Sequence, residues 1–508
     1  MEAQEVYQRS QEMFAEKSMW EPHWEEVAKY VWPSYSGAFQ GGTTPGEKRD
    51  YQYDSTAVLA LSRFAATLES MLTPRQNTWH YLQSPVRNRR VQLYLDEVNR
   101  ILFRERYAPV ANFSSQLADH YMSLGAFGTG CLFVDEGPRY KAISLNEVAF
   151  ATDYVGMVDT VYRKFELTGR QATQQFKDVP KDMTDKPDQK YEILHCVMPN
   201  REVDKRKADR RGMKYYSAYI YKDKFLREGG YETFPYMVSR YVTSPGETYG
   251  RSPAMMVLAS VKTLNEEKKT ILKQGQRVVD PVLLAYDDGV MDAFSLKPGA
   301  LNFGGVNSEG RPLIHTLPTG NLSVGFEMMK EERGVINDAF LVTLFQILVE
   351  TPQMTATEVM ERAREKGSLL APTMGRQQSE LLGPMIAREL NILLRMGKLP
   401  EPPPEFRKEY KVVYDSPMSR VQQAEEGAGT MRMIQWASEI AAQTQDPSVF
   451  DHFDFDTIIP ELGNMNAVPA RFLADRTKVE AKRRGRAETQ RTQQLIDAAP
   501  SIASMVKQ

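Results

Sequence analysis

The sequence predicts an α+β fold, and three observations carry that expectation. Apolar residues recur at intervals of three and four through roughly the first 130 residues and again after residue 250, the spacing of amphipathic helices. Between about 140 and 250 the pattern changes to short β-branched and aromatic runs, KAISL, MVDTVYRKFEL, KYEILHCVM, YYSAYIY and PYMVSRYV, joined by polar turns. Finally, the stretch Thr355 to Pro400 keeps helical spacing almost throughout, with Val359, Met360, Ala363, Leu369 and Leu370 followed by Leu381, Leu382, Met385, Ile386, Leu390, Leu393 and Leu394.

That last stretch is the organising element. It opens with Thr355-Ala-Thr-Glu358, a capping box whose hydroxyl and carboxylate satisfy N–H groups that the first helical turn leaves unpaired. Unbroken, the helix would span about 65 Å at ~1.5 Å per residue. Pro372 and the Gly383-Pro384 pair are expected to kink it.

Bulk composition narrows the function classes. A chain of 508 residues with 42% hydrophobic and 26% charged residues buries a large core across several subdomains and is not disordered. A net charge of −2 excludes a globally basic nucleic-acid binder while leaving local basic patches open. The two cysteines, Cys131 and Cys196, cannot form a disulfide framework and read as small buried residues. The polar N-terminus MEAQEVYQRSQEMF does not read as a signal peptide, and the longest apolar run, Ala339 to Leu348, is too short for a bilayer. The chain is therefore expected to be soluble when made.

The elements follow in order. Residues 1–32 read as one amphipathic helix with Tyr7, Phe14, Trp20, Trp24, Val27 and Tyr30 inward, ended by Pro33 and followed by a loop from Gly37 to Gly46. Asp54 is placed to cap a second helix that runs to Pro74. A third helix spans Val91 to Arg106 and a fourth about Asn112 to Leu124. The strand CLFVDE comes next, and one short helix, Gly169 to Phe176, interrupts the β-rich part. Ser252-Pro253 supplies a favoured cap and first-turn pair for a helix to about Asp280, with Val257, Leu258, Val261, Leu264, Ile271 and Leu272 on one side. Residues 281–325 are rich in Gly and Pro and read as a loop-and-strand unit. A helix from Phe326 to Val349 follows, with Val335, Ile336, Phe340, Leu344 and Leu348 in register. After Pro400 come a stiff EPPPEF connector, a strand in KEYKVVYDSP and a helix in MSRVQQAEEGAGTMRMIQWASEIAAQ.

Motifs that carry chemistry are absent. Gly125-Ala-Phe-Gly128-Thr-Gly130 invites a phosphate-loop reading, but such a loop follows a strand and opens a helix. Here the order is reversed, so a helix C-cap and turn is the expectation. The six histidines, His23, His80, His120, His195, His315 and His452, show no ligand spacing. Asp451, Asp454 and Asp456 lack the glycine and terminal glutamate of a calcium loop and read as capping the next helix. No catalytic, cofactor-binding or metal site is expected. The mixed-charge run 201–214, REVDKRKADRRGMK, reads as a solvated hairpin tip in preference to a nucleic-acid patch.

One resemblance covers nearly the whole chain. The segments TATEV, ERAREKG, APTMGRQQSELLGPMIAREL and GKLP, together with FGTG, MVDTVYRKFELTGRQATQQF, LREGGYETFPYMVSRY and GETYGRSP, resemble those of phage portal proteins, above all the head-to-tail connectors of short-tailed, T7-like phages. The resemblance implies a ring subunit with wing, stem, clip and crown. Residues 1–250 would be the first part of the wing, 251–280 and 326–349 the stem helices, and 281–325 the clip. Residues 350–356 would be a tunnel loop, 357–400 the long kinked wing helix, and 401–508 the last wing strand and the crown. It further implies a twelve-fold ring at one capsid vertex of the virion, made in the host cytoplasm, through which double-stranded DNA is packaged and ejected. The implied partners are further copies of the chain, the terminase large subunit, tail adaptor or nozzle proteins, and the major capsid and scaffolding proteins, with no membrane and no cofactor. The other readings weighed are a DNA-translocating or DNA-cutting enzyme and a minor capsid component without a channel.

On that plan Glu350, Thr351, Pro352, Gln353, Met354 and Thr355 face the channel, where a tight interhelical turn is an equal reading. Lys262, Lys268, Lys269, Lys273 and Lys330 are the candidates for weak rings in the lumen, with a solvated helix face as the other reading of each. The clip would dock partners through Asn302, Phe303, Asn307, Ser308, Glu309 and Arg311. Near-neutral charge suits a channel, because each phosphate held by a cation adds salt-dependent grip on DNA that has to slide.

Overall fold

The computed structural model describes residues 2–40, 51–85, 88–200, 203, 212–285, 295–318, 321–342, 372–406, 409–415, 417–465, 474, 478–486 and 488–489. Helices α1 (Ala3–Ser18) and α2 (Glu21–Val31) replace the single helix expected at the N-terminus. The chain turns at Met19-Trp20, where the Trp20 amide donates to the Lys17 carbonyl at 2.9 Å. Trp24 and Val27 are fully buried, whereas Tyr7 and Phe14 only flank a smaller cluster around Val6. Pro33 opens a 3₁₀ turn, Pro33–Tyr35, before the chain leaves the helical layer.

Helices α3 (Thr56–Leu72), α4 (Arg89–Arg106) and α5 (Phe113–Phe127) build the central core with α2. Asp54 caps α3 as the sequence predicts, accepting from the Thr56 amide at 2.8 Å. Asn88 caps α4 by accepting from the Arg90 amide at 2.9 Å, which starts that helix two residues early. The GAFGTG segment is a helix end. Gly128 closes α5 in the left-handed region at φ 73°, with its amide on the Leu124 carbonyl at 3.0 Å.

Twelve strands are described. Strand β1 (His80–Gln83) pairs with the last one, β12 (Lys411–Tyr414), more than 300 residues away in the chain. Strands β2 (Thr129–Asp135), β3 (Arg139–Ile143) and β9 (Tyr236–Arg240) form an antiparallel sheet in the order β3-β2-β9. Strands β4 (Val148–Thr152), β5 (Val158–Thr168), β6 (Lys190–Pro199), β7 (Tyr215–Tyr221) and β8 (Lys224–Tyr231) form a five-stranded antiparallel meander. The expected short helix is α6 (Gly169–Gln175), held by a capping box between Thr168 and Gln171. A further short helix, α7 (Lys181–Asp185), lies under Tyr191.

The two helices after residue 250 differ from expectation at their ends. Ser252 does cap the first, accepting from the Met255 amide at 2.9 Å. It stops after one turn, however, as α8 (Pro253–Met256), and resumes beyond Val257 as α9 (Leu258–Val279). Helix α10 (Leu322–Ala339) starts four residues before Phe326, because Asn321 supplies a cap by accepting from the Ser323 amide at 2.9 Å. It breaks at Leu341, whose φ is 60°. Between α9 and α10, strands β10 (Leu283–Ala285) and β11 (Ile314–Thr316) pair antiparallel. Ile336 and Phe340 are buried as expected and Val335 is exposed; Leu344 and Leu348 lie outside the described residues.

The long helix is described from residue 372. Residues 372–377 are α-helical, Gln378–Leu382 form a π turn, and α11 (Gly383–Arg395) continues to the Gly397 left-handed end. Pro384 explains the wide turn. Its missing N–H and its ring disfavour an ordinary turn around residue 380. The Gly383 amide reaches back to the Gln378 carbonyl instead, which also receives the Tyr414 hydroxyl at 3.3 Å. Leu381, Leu382, Met385, Ile386, Ile392 and Leu393 are all buried in the central core, each contributing about 1.5–3 kcal/mol. Leu394, expected to face inward, is exposed, and Ile392 takes its place. The capping box Thr355–Glu358 and the first half of this helix lie outside the described residues. Helices α12 (Pro417–Thr444) and α13 (Phe455–Met465) complete the C-terminal part.

Candidate channel and docking surfaces

The α9–α10 pair starts from a polar joint. Leu258, Val261 and Leu264 are buried at its base, and Asn265 beside them is buried too. Asn265 accepts from the Tyr53 and Asp54 amides at 2.7 and 3.1 Å and donates to the Tyr51 carbonyl. Asp54 in turn receives Arg333 of α10 at 2.7 Å and Lys268 of α9 at 3.7 Å. Burial alone would raise the Asp54 pKa, but its hydrogen bonds from Thr56 and Arg333 win and hold the carboxyl below its usual range. One carboxylate thus fixes both helices to the start of α3.

Beyond that joint the helices rest mainly on each other. Ile271 lies over Gly325, where a Cβ would come within 2.7 Å of it, so glycine there sets the close approach. Burial, together with the like charges of Glu332 and Glu331 on α10, raises the Glu267 pKa. Toward the tip an open groove of about 960 Å³ runs between the helices, with Leu272, Arg277, Phe326 and Met329 among its walls.

The five lysines of this region do not share one surface. Lys262 is paired with Glu26 of α2, Lys268 with Asp54, and Lys269 with Glu266 at 3.1 Å in its own helix. Lys273 and Lys330 are exposed on different helices and have no ion-pair partner among the described residues. Lys262, Lys269 and Lys273 form a stripe on α9, whereas Lys268 lies on the side that faces Asp54.

The six tip residues divide by role. Asn302 clamps Ser295, accepting from its amide and donating to its carbonyl, both at 2.9 Å. Asn307 accepts from the Glu309 and Arg311 amides at 3.0 and 2.8 Å. Both asparagines therefore hold loops in shape and present little themselves. Phe303, Ser308, Glu309 and Arg311 are exposed, Phe303 at 87%. All six residues of the expected channel loop, Glu350 to Thr355, lie outside the described residues.

Sequence reasoning missed the buried ion pairs that seat the long helix. Arg106 of α4 donates to Glu389 of α11 through Nε at 3.0 Å and Nη2 at 2.5 Å, and both side chains are buried. Arg240 of β9 donates to Glu380 of the π turn at 2.6 Å, and the Gln377 amide group donates to the Arg240 carbonyl at 3.0 Å. These partners stand 283 and 140 residues apart, and nothing local marks them.

The surroundings of the titratable groups are structural. His120 contacts Ser239 at 2.8 Å, and His195 contacts Tyr236 and Ser217 at 2.6 and 3.0 Å, all within the core. Burial pushes His120 down to about 3 and His195 well below its usual range, so both stay neutral. Burial drives the Cys131 thiol up to about 12 and raises Cys196 as well, leaving both unreactive. Asp454 caps the start of α13, accepting from the Asp456 and Thr457 amides. Among the described residues no group of three or more His, Cys, Asp or Glu side chains is placed to hold a metal ion, and no helix is long and apolar enough to cross a membrane.

The chain is 27% identical to a probable portal protein of Bordetella phage BPP-1, covering 94% of this chain and 90% of that one. It is likewise 27% identical to a portal protein of Salmonella phage epsilon15, covering 97% and 92%. A chain from a solved structure of the neck of an empty GTA particle aligns over 76% of this chain and 90% of its own, at 10% identity and a TM-score of 0.37. Residues 3–473 match the family described as bacteriophage head to tail connecting protein, and the chain belongs to that family.

Proposed function

We propose that this connector subunit assembles into a closed ring at one capsid vertex of a tailed phage, forming the channel through which double-stranded DNA is packaged and later ejected. The carrying observation is the α9–α10 pair, two helices of 22 and 18 residues seated on one buried joint with their outer flanks exposed. Helices of that length with open flanks bury them against neighbours, and a head-to-tail contact that closes makes a ring. In this reading α9 and α10 are the stem, and the clip that receives terminase and then the tail adaptor is the 281–325 unit, cut back to 281–321 by the early start of α10; 1–250 with the long helix is the wing. The C-terminal helices form the crown. The subunit does no chemistry of its own: the histidines, thiols and carboxylates described above are caps and core contacts.

Mass photometry and end-on imaging of purified protein test the ring, with twelve copies expected; monomers and dimers alone at micromolar concentration in varied salt would sink it. Purified protein is expected to show no ATP hydrolysis above contaminant controls. The segment Glu350 to Thr355 serves in this reading as a soft valve on DNA. Replacing Gln353-Met354 with Gly-Gly is expected to leave assembly and DNA entry intact while packaged DNA leaks from full heads. Heads that retain DNA as well as wild type would return that segment to a plain interhelical turn.

A further inference from the structure

Resting on the ring just proposed, a more specific contact follows from the two outer flanks of the α9–α10 pair. On α9 the face turned toward α10 is set by Ile271 and Glu267. Lys262, Lys269 and Lys273 fall on the opposite side, since steps of seven and four residues return a helix to nearly the same angle. On α10 the inward line runs through Gly325, Met329 and Ile336. Glu327, Glu331 and Asp338 fall opposite it, by steps of four and then seven, and all three are exposed. The pair therefore carries a basic stripe on one outer flank and an acidic stripe on the other.

The heights agree to within about a turn. In an antiparallel pair each step along one helix is a step back along the other, so the packing of Ile271 on Gly325 sets the levels. It puts Lys273, Lys269 and Lys262 opposite residues 323, 327 and 334, so Glu327, Glu331 and Asp338 each stand one turn, about 6 Å at ~1.5 Å per residue, further along α10, a distance that a lysine side chain spans. The order of spacings on one helix is the mirror of that on the other, as antiparallel helices require for three cations to face three anions.

We propose that α9 of one subunit packs against α10 of the next copy around the ring, with Lys273 on the neighbour's Glu327 and Lys269 on the neighbour's Glu331. Lys262 is already held by Glu26 and adds less. Lys269 pairs with exposed Glu266 in its own helix and lies 5.8 Å from the Tyr53 ring centre, and that surface ion pair is a weak tie that a facing carboxylate outcompetes. This assigns the basic stripe to the subunit interface and away from the DNA in the bore.

Charge reversal tests the pairing. K269E/K273E and E327K/E331K should each raise the protein concentration needed for half-assembly by more than about tenfold in low salt, because like charges then face each other across every interface. The quadruple swap K269E/K273E/E327K/E331K should restore assembly. Independently, K273C/E327C treated with copper–phenanthroline should give a ladder of disulfide-linked copies, a readout unaffected by any loss of fold in the swapped variants. The native thiols are buried and stay out of that reaction. Rings from K269E/K273E at the wild-type concentration, failure of the quadruple swap to rescue, or the absence of a ladder would each overturn the pairing while leaving the wild-type ring standing. Wild-type protein that forms no ring at all would instead strike the function proposed above.

Discussion

Replacing Arg106 with Met measures what seats the long helix. The guanidinium is fully buried and bidentate on Glu389, its Nη1 stands 2.8 Å from His80 Nε2, and it lies 4.6 Å from the Trp79 ring centre. Tyr140 also donates to Glu389. Burial by itself would lower the Arg106 pKa, but the attraction of Glu389 raises it overall, so the cation persists at every ordinary pH. Methionine keeps most of the volume and removes the charge, leaving a carboxylate in the core with one hydroxyl for company. Breaking a buried pair in this way costs about 3–5 kcal/mol, whereas replacing both partners by apolar residues costs far less. R106M is therefore expected to lose about 3–5 kcal/mol and R106M/E389L to recover most of it. The assay is urea unfolding of the unassembled subunit followed by tryptophan fluorescence, which Trp79 makes sensitive to this joint. An R106M midpoint within about 0.5 kcal/mol of wild type, or a double variant no better than the single, would refute the reasoning.

Other outcomes follow from the same geometry. Lys17 is buried on the Leu145 and Asn146 carbonyls with Glu21 at 3.2 Å, and burial lowers its pKa to about 8 despite that carboxylate. The unfolded chain then binds more protons between about pH 8 and 10.5, so wild type should gain stability over K17M as pH rises through that window, by at most about 3 kcal/mol; a pH-independent difference in urea midpoint would exclude it. Gly128→Ala should prevent soluble expression, because φ is 73° and a Cβ would run into the Gly250 carbonyl and the Arg251 backbone; a variant that melts with wild type would contradict that. Phe303→Asp and Glu309→Lys should leave the ring intact and weaken terminase binding in surface plasmon resonance, and unchanged affinity would move the docking surface elsewhere. Point changes are the sharper probe here, since deleting 302–311 would also remove the Asn302 clamp.

Much of this fold was legible because it is written locally. The cap at Asp54, the helix end at Gly128, the short helix from Gly169 and the Ser252-Pro253 start each need only neighbouring residues, and all four are present. What escaped was set from a distance. The turn at Met19-Trp20 follows from Trp24 packing on Tyr249, with ring centres 5.1 Å apart, and helical spacing does not register it. Strands β4 and β8 edge the five-stranded sheet, and β8 carries Lys224, Arg227, Glu228 and two glycines. Such a composition blunts an edge and reads as a turn. The proposed contact surfaces were only half legible. The lysines could be named, but their division between Asp54, Glu26 and an open stripe depends on where α2 and α3 stand.

The π turn at Gln378–Leu382 sets an angular phase. A five-residue turn within a helix of 3.6 residues per turn rotates everything downstream by roughly one residue, about 100°, relative to an uninterrupted helix. Residues 372–377 and α11 therefore point their inward faces by two different counts, and Arg240–Glu380 locks the offset at the junction. Removing one residue at Ser379 would not simply shorten the rod. It would unwind the offset, turn Met385, Ile386 and Glu389 away from the core, and part Glu389 from Arg106. The extra residue works as a vernier, letting one helix answer to two surfaces that no single periodicity could satisfy together.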